Sequence, residues 1–497
     1  MHIGIDIGTG STKGVLVDGD GTILRKESVT HTMSSPSTGW AEFDAQQQWW
    51  PEIQQISQRL LEGQDANQVH GVCVSGMGPC LVLMEEDFTP VRAAILYGVD
   101  TRAFQEIEDL TDQLGDERIV ERCGNSLSSQ SIGPKMRWVR DHEPKTFARA
   151  VRWGSAHSYI LGMLTGEYVL DHHTASQSDP LYDLTAEAWA EDWYDEIAEH
   201  LERPRLAWAN EAVGAITPEA SEATGLPVGT PVCAGTVDAW TEAWSAGVRA
   251  PGDTMLQYGS TFFVVQNLRS QAHEAQLWST AGITEGSRCL AAGTATSGSL
   301  TSWWRGQWGD PDFGQLVEEA GSVPPGARGL VVLPYFAGER TPIFDPDARG
   351  TVIGLTLSHG PAEIFRATYE GIACGLRQIL DLLEEGVERP ERLVAVGGGT
   401  QSRLWVQIVS DVTGRSQQIP DQTIGASYGA AMLAAETTSG IDTRDWACIG
   451  ETVEPDPQHR ELYDEIFGLY TQLYRDNRET MHRLAELQRR SDTPVQA

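Results

Sequence analysis

Residues 1 to 14 read Met-His-Ile-Gly-Ile-Asp-Ile-Gly-Thr-Gly-Ser-Thr-Lys-Gly. An apolar run (Ile3, Ile5, Ile7) enters a turn of small and hydroxylated residues, and a second apolar run (Val15, Leu16, Val17) leaves it. Glycine lets a backbone come close to a phosphate, and hydroxyls with free N–H groups bond its oxygens. Asp6, just before the turn, is placed to hold the Mg²⁺ that accompanies a nucleotide. Thr9, Ser11 and Thr12 would line the loop. Lys13 either neutralises phosphate charge or points into solvent. An ordinary hairpin with a Gly-rich turn would read the same way, because a motif this short is weakly specific.

Three further small-residue loops follow strand-like runs, at 259–261, 293–299 and 397–399. Four such loops are hard to explain as turns alone. The economical reading is two hairpin turns, 8–12 and 259–261, gripping a polyphosphate. Gly397-Gly398-Gly399 would lie against the nucleoside, with Ser402, Trp405 and Gln407 opening a helix.

The elements that would carry these loops occur twice. A hairpin at 3–18, a strand at 22–30 and a strand at 69–74 are matched by a hairpin at 254–265 and strands at 289–293 and 393–396. Each set reads as an antiparallel start followed by helix-linked strands, an α/β pattern. The expected architecture is two similar lobes with a cleft between them. Expected boundaries are residues 1–245 for an N-terminal lobe and 246–445 for a C-terminal lobe. Residues 446–497 form a helical extension packed on the lobes, with Leu462, Ile466, Leu469, Tyr470 and Leu473 on one face. Helical periodicity also marks 101–114 and 363–386, and 231–238 reads as strand, turn and helix start.

The charge is extreme: 36 basic against 70 acidic residues, a net −34. Lys13, Lys26, Lys135 and Lys145 are the only lysines. Such a surface repels nucleic acid and anionic membranes. Molar salt shortens the Debye length to about 3 Å and screens the self-repulsion, so the composition reads as adaptation to a halophilic cytoplasm. The N-terminus runs straight into a strand, and no apolar run approaches a membrane span of about 20 residues. A soluble cytoplasmic protein is expected. The seven cysteines are scattered and odd in number, against both a disulfide framework and a zinc site. His172-His173 after Asp171 has no further ligand at helical spacing and is expected in a loop.

With these residues in view, the chain resembles the FGGY family of carbohydrate kinases, which includes kinases of xylulose, glycerol, gluconate and ribulose. The resemblance runs over essentially the whole length. Its most specific segment is Gly350-Thr-Val352-Ile-Gly354-Leu355, then seven residues, then Glu363 to Gly371. Gly133-Pro134-Lys135-Met136-Arg-Trp138 keeps the K-x-x-W core of a looser first signature, and Gly39-Trp40-Ala-Glu42-Phe-Asp44 fits the N-terminal lobe. The resemblance implies a duplicated actin/hexokinase-type (ribonuclease H-like) fold, with ATP and sugar meeting in the cleft.

It also implies roles. Asp238 aligns with the catalytic aspartate, the general base. A helix N-terminus favours its ionised form, although Asp is also a common cap there. Asp6 would bind Mg²⁺; Gly259, Ser260 and Thr261 would form the second phosphate loop. Gly298, Gly398, Gly399 and Ser402 would face adenosine. Met77, Asp100, Arg102 and Gln130, with Asp238, would meet the sugar. Asp100 would accept from sugar hydroxyls and Arg102 would orient its loop. The implied reaction is ATP-dependent phosphorylation of a ketopentose such as D-xylulose at its 5-hydroxyl. Where many xylulose kinases carry Gln-Met-His and glycerol kinases Arg-Glu, this chain has Gly76-Met77-Gly78-Pro79. A kinase for glycerol, erythritol, ribulose or gluconate therefore stands as the alternative, and an ATP-binding sensor without catalysis as another. Family members are often homodimers.

Overall fold

The computed structural model describes residues 1–272, 276–421 and 425–492. It contains two compact units. The first is built from Met1–Arg249, Asn267–Cys289 and Ile424–Ala447, the second from Ala250–Gln266, Leu290–Thr423 and Cys448–Ala497.

The first unit is organised on a six-stranded sheet. Its strands are β1 (His2–Ile7), β2 (Ser11–Val17), β3 (Ile23–Thr30), β4 (Gly71–Gly76), β5 (Ala212–Ala215) and β6 (Pro231–Cys233). They lie in the order β5-β6-β4-β1-β2-β3. β1 pairs antiparallel with β2, Asp6 opposite Lys13, and parallel with β4, Asp6 opposite Ser75. Every residue of β1 is buried. That explains why Ile3, Ile5 and Ile7 alternate with two small or acidic positions and not with solvated ones.

Helices cover both faces. On one, α1 (Trp50–Leu61) packs Ile53, Ile56 and Leu60 inward. Gly14 makes room for it, since a Cβ there would lie 2.4 Å from Ile56 Cγ2. On the other lies a helix from late in the chain, Ala426–Ser439. It is buried over its first ten residues, as a helix apolar on all sides must be. A Cβ on Gly4 would come within 2.0 Å of Ser427 O. Helices α2 (Ile132–His142), α3 (Ala156–Thr165) and α4 (Asp238–Ser245) complete what positions the site.

The second unit repeats the scheme. β7 (Asp253–Tyr258) and β8 (Phe262–Leu268) form an antiparallel hairpin, and β9 (Arg392–Val396) pairs parallel with β7 as β4 does with β1. β10 (Gln417–Pro420) and β11 (Ile449–Val453) extend the sheet beyond β9. Around it stand α5 (Gly298–Gln307), α6 (Phe313–Ser322), α7 (Pro361–Gly386) and α8 (Arg403–Thr413). The late helix of the first unit is α9 (Ala426–Ser439), and α10 (Arg460–Asp492) is the C-terminal helix. The expected duplicated α/β pattern is present.

One local expectation is corrected. His172 and His173 stand in a short helix, His172–Ser176, not a loop, because Asp171 caps it by accepting from Thr174 N at 3.0 Å. Six cysteines are buried and Cys448 is exposed. Among the described residues no helix is long and apolar enough to cross a membrane.

The β1–α9 approach gives a stability prediction. Gly4→Ala forces backbone apart in a packed layer and should cost about 1–3 kcal/mol or more. Gly19→Ala, with open space at its Cβ, should change the thermal midpoint little. Thermal unfolding of both variants checks this.

Candidate active site

In the first unit, β1 delivers Asp6 and the turn after β6 delivers Asp238. Gly235, at φ +69°, makes that turn possible: a Cβ would lie 1.9 Å from Val74 O on β4. Thr236 O then accepts from Gly76 N at 3.2 Å, drawing the turn along the end of β4. Asp238 is the first residue of α4 and not its cap, which is Val237. Its Oδ1 accepts from Ala239 N at 2.7 Å.

Burial pushes the pKa of both carboxyls up, and the Asp238 charge raises Asp6 further. Ser75 Oγ, donating to Asp6 Oδ1 at 3.0 Å, and Lys13 across the hairpin work against the rise at Asp6. The Ala239 N–H and His157 do so at Asp238. Lys13 thus faces Asp6, although its side chain is exposed. His157 is fixed from behind: Asp171 Oδ1 bonds its Nε2 at 2.8 Å, while Asp171 Oδ2 accepts from Thr236 Oγ1 at 2.6 Å. Burial opposes ionisation of Asp171, but the His157 hydrogen bond and its other partners outweigh burial and hold the pKa near 2.

The first loop divides by strand alternation. Thr9 Oγ1 lies 2.9 Å from Tyr97 OH and 4.0 Å from Met77 Sδ, so Thr9 and Met77 come together. Ser11 stays half-buried beside them. Thr12 points the other way and is fully buried, its hydroxyl donating to Glu52 Oε2 at 2.6 Å. The expectation that Thr12 lines a phosphate loop is corrected: β2 turns it inward. Glu52 also meets His31 Nδ1 at 2.9 Å, and His31 Nε2 meets Gly8 O at 2.7 Å. Both partners are acceptors, so both ring nitrogens must donate. Burial would lower the His31 pKa, but Glu52 outweighs it and raises the value.

Asp100 is also corrected. Its Oδ2 accepts from Ala41 N at 2.6 Å and Arg102 Nη2 at 2.7 Å; its Oδ1 accepts from Arg102 N at 3.1 Å and Nε at 2.9 Å. The side chain is fully buried, with no oxygen left for a sugar. Arg102 also donates to Glu42 Oε1 at 2.7 Å, and its guanidinium stands 4.0 Å from the Trp40 ring and 5.1 Å from Trp138. Three sequence motifs (residues 39–44, 100–102 and 133–138) therefore converge on one buried ion-pair cluster. Gln130 stands apart from it: Oε1 accepts from Gly98 N at 2.8 Å and Nε2 donates to Gly78 O at 3.2 Å. It ties together the two loops that carry Met77 and Asp100.

In the second unit a cavity of about 600 Å³ takes in Gly259, Ser260, Gly298, Gly398, Gly399 and Ser402. This is the size range of small-molecule sites. Ser260 O accepts from Ser297 N and Ser299 N, at 2.9 and 3.0 Å, knitting the hairpin turn to the start of α5. Gly298 is required there, since a Cβ would lie 2.7 Å from Gly259 O. Ser402 caps α8, its Oγ accepting from Trp405 N. Thr261 does not line the cavity; its carbonyl closes the turn on Gly259 N at 3.2 Å. Sequence reasoning missed the deep wall, where Tyr369 stacks on Trp405 with centroids 4.9 Å apart. It also missed Gln401 and the Phe313–Gly314 start of α6. Tyr369 was visible within the second signature; nothing in the sequence marked Phe313. Trp303 and Trp304 pack with Phe336 and do not line this cavity.

The second signature has a structural role in this unit. Glu363 accepts from Gly360 N to cap α7. Buried Glu370 accepts from Gly326 N, Arg366 Nε and Tyr463 OH. A Cβ on Gly371 would lie 2.2 Å from Val332 O.

The duplicated hairpin-and-parallel-strand fold, one unit bearing paired carboxylates and the other a glycine-walled cavity, is an α/β arrangement suited to phosphoryl transfer. Comparison with known proteins narrows the class. Residues 1–243 match the model of the FGGY family of carbohydrate kinases, N-terminal domain, and residues 256–437 match the C-terminal domain. The chain belongs to the FGGY family of carbohydrate kinases. It is 27% identical to the xylulose kinase of Bacillus subtilis, over 95% of this chain and 96% of that one. It is 24% identical to a gluconokinase of Bacillus licheniformis, over 98% of each. The crystal structure of xylulose kinase from Rhodospirillum rubrum superposes with a TM-score of 0.90 at 32% identity, covering 97% of this chain and 99% of that one. The chain is a sugar kinase with the two-lobe actin/hexokinase-like fold of these proteins.

The Thr12–Glu52–His31 group yields a prediction. Thr12→Val leaves Glu52 short of a donor and should lower unfolding free energy by about 1–3 kcal/mol, while Ser11→Ala should change it little. Because the folded His31 pKa is raised, its stabilisation is complete below an unfolded value of about 6.5 and is lost as pH rises through the folded value. Denaturant titrations from pH 6 to 9 should show that loss in the wild type and not in His31→Gln.

Proposed function

We propose that this kinase transfers the γ-phosphoryl group of ATP to a terminal hydroxyl of a ketopentose, D-xylulose before others, with Asp238 as general base. The observation that carries the reading is Asp238 itself: a half-buried carboxylate at the first position of α4, beside the buried carboxylate of Asp6. A base there sits where the helix N-terminus favours its anionic form, and it takes the hydroxyl proton as oxygen attacks. Asp6 and Asp238 offer hard oxygen donors, the set that suits Mg²⁺ held by one or two carboxylates and phosphate oxygens. Bound Mg²⁺ would supply charge neutralisation on the transferring phosphate. Thr9, Ser11 and Lys13 would assist from the first unit. The glycine-walled cavity of the second would take ATP, with Tyr369 and Trp405 at its depth.

The ketopentose is favoured by the Rhodospirillum and Bacillus relatives and by the loop 76–80. That loop presents backbone groups and buried Met77 in place of the charged pair of glycerol kinases. The gluconokinase relative keeps a sugar acid as the second reading. We also propose that the −34 charge fits the enzyme to high salt.

Purified protein is assayed for ADP release in KCl with xylulose, ribulose, gluconate, glycerol and erythritol. D-Xylulose should give the highest kcat/KM, and Asp238→Asn should lose roughly 10²–10⁴-fold. ATP binding with no phosphorylated product from any acceptor would mark a sensor and overturn the reading. Activity and thermal midpoint should both rise from 0.1 M toward about 1 M KCl as the repulsion is screened.

A further inference from the structure

The first unit contains a small cavity, edged by polar side chains, that the reaction above does not use. It measures about 20 Å³ and is lined by Ser128, Gln130, Gln177, Asp179 and Thr280, among others. That is room for a single water or hydroxyl group, for which about 10–15 Å³ suffices. Two of its polar atoms have no partner: Asp179 Oδ1 and Thr280 Oγ1. Both residues are deeply buried, 5% and 3% exposed. Unpaired buried polar atoms are costly and call for an explanation.

The lining states what would satisfy them. Burial pushes the Asp179 carboxyl well above the usual range, against a weaker hydrogen bond from Asn125. Burial favours its neutral form, which offers one donor and one acceptor, as the Thr280 hydroxyl does. No Lys, Arg or His lines the cavity to hold an anion. A neutral hydroxyl, itself donor and acceptor, matches both.

Two chains of contact connect this cavity to the general base. Gln130 donates to Gly78 O, and a Cβ on Gly78 would lie 3.0 Å from Val237, the residue before Asp238. Gln177 Nε2 lies 2.7 Å from His173 Nε2, and His173 packs on Trp240 at 3.9 Å between centroids, two residues after Asp238. The loop carrying Gln130 is itself pinned by buried Lys135, which donates to Ser129 O at 2.6 Å.

We infer that this cavity receives the acceptor's hydroxymethyl group remote from the one phosphorylated, with Asp179 and Thr280 as its hydrogen-bonding partners. The inference rests on the kinase reading above. It makes Asp179 and Thr280 specificity residues for an acceptor that ends in an uncharged hydroxyl, and sets the site against a sugar acid, whose carboxylate would find too little room and no cationic side chain in the lining.

The test is calorimetric binding of D-xylulose and of 1-deoxy-D-xylulose, which lacks only the remote hydroxyl, to the full chain and to Asp179→Leu, Thr280→Val and Asp179→Asn. In the wild type the deoxy sugar should bind about tenfold more weakly than D-xylulose. Asp179→Leu and Thr280→Val should weaken D-xylulose by a similar factor and leave the deoxy sugar unchanged. Asp179→Asn, which keeps a donor and an acceptor, should restore most of the affinity. If Asp179→Leu fails to fold, Thr280→Val and the deoxy sugar decide the matter. Equal affinities for the two sugars, or variants that bind D-xylulose as the wild type does, would mean that the cavity holds only a water and would overturn the inference. ADP release is measured in parallel. Sugar bound with the expected pattern but no ADP formed rejects the kinase reading alone, and ADP formed with unaltered affinities rejects the cavity's role alone.

Discussion

Two carboxyl groups that share one corner of the first unit, Asp6 buried and Asp238 half-buried, set the terms for everything around them. Like charges taken out of water repel strongly, and each raises the cost of ionising the other. The fold answers with fixed dipoles and hydrogen bonds. Ser75 donates to Asp6, the Ala239 N–H donates to Asp238, and His157 stands behind, locked by Asp171. Asp171 does two jobs at once, since its other oxygen holds Thr236 in the turn that ends at Asp238. His157, Asp171 and the turn that ends at Asp238 are therefore one hydrogen-bonded assembly, and its precision depends on Gly235 allowing the turn to lie on β4.

Much of this was legible in the sequence, for a definite reason. Glycine and aspartate at strand ends carry local signals, and a hairpin or a strand-turn-helix is a local structure. The β1–β2 hairpin, its counterpart β7–β8, the Gly397–Gly399 turn and the start of α4 all fall where residue types place them. What failed was orientation. Ser11, Thr12 and Lys13 look equivalent in composition, but the pleat of β2 sends Thr12 to Glu52 and leaves its neighbours on the Asp6 side. Asp100 looks like a sugar ligand until Ala41 and Arg102 are seen to occupy both of its oxygens, and Ala41 is distant in sequence. Asp179 gave no signal at all, because its meaning lies in one carboxyl oxygen without a partner.

The family signatures divide in an instructive way. The first-unit motifs at 39–44, 100–102 and 133–138 build the Arg102 cluster, and the second signature pins α7 through Glu370 and Gly371. Both are scaffolding. The groups placed to do chemistry sit on shorter, less distinctive stretches: a turn, a strand end, a helix's first residue. Recognising the family from its signatures therefore identifies the frame more securely than the acceptor.

The course of the chain through the two units carries a consequence for biosynthesis. α9 closes one face of the first sheet, yet it is encoded after most of the second unit. On the ribosome, β1 and β2 emerge first, and the apolar surface around Gly4, Val15 and Val17 that Tyr428, Ala431 and Met432 cover must wait for them. The first unit to be started is thus left open until most of the second has been made. A chain stalled before residue 426 would expose that surface to chaperones and proteases, which gives the cell a means of telling complete molecules from incomplete ones.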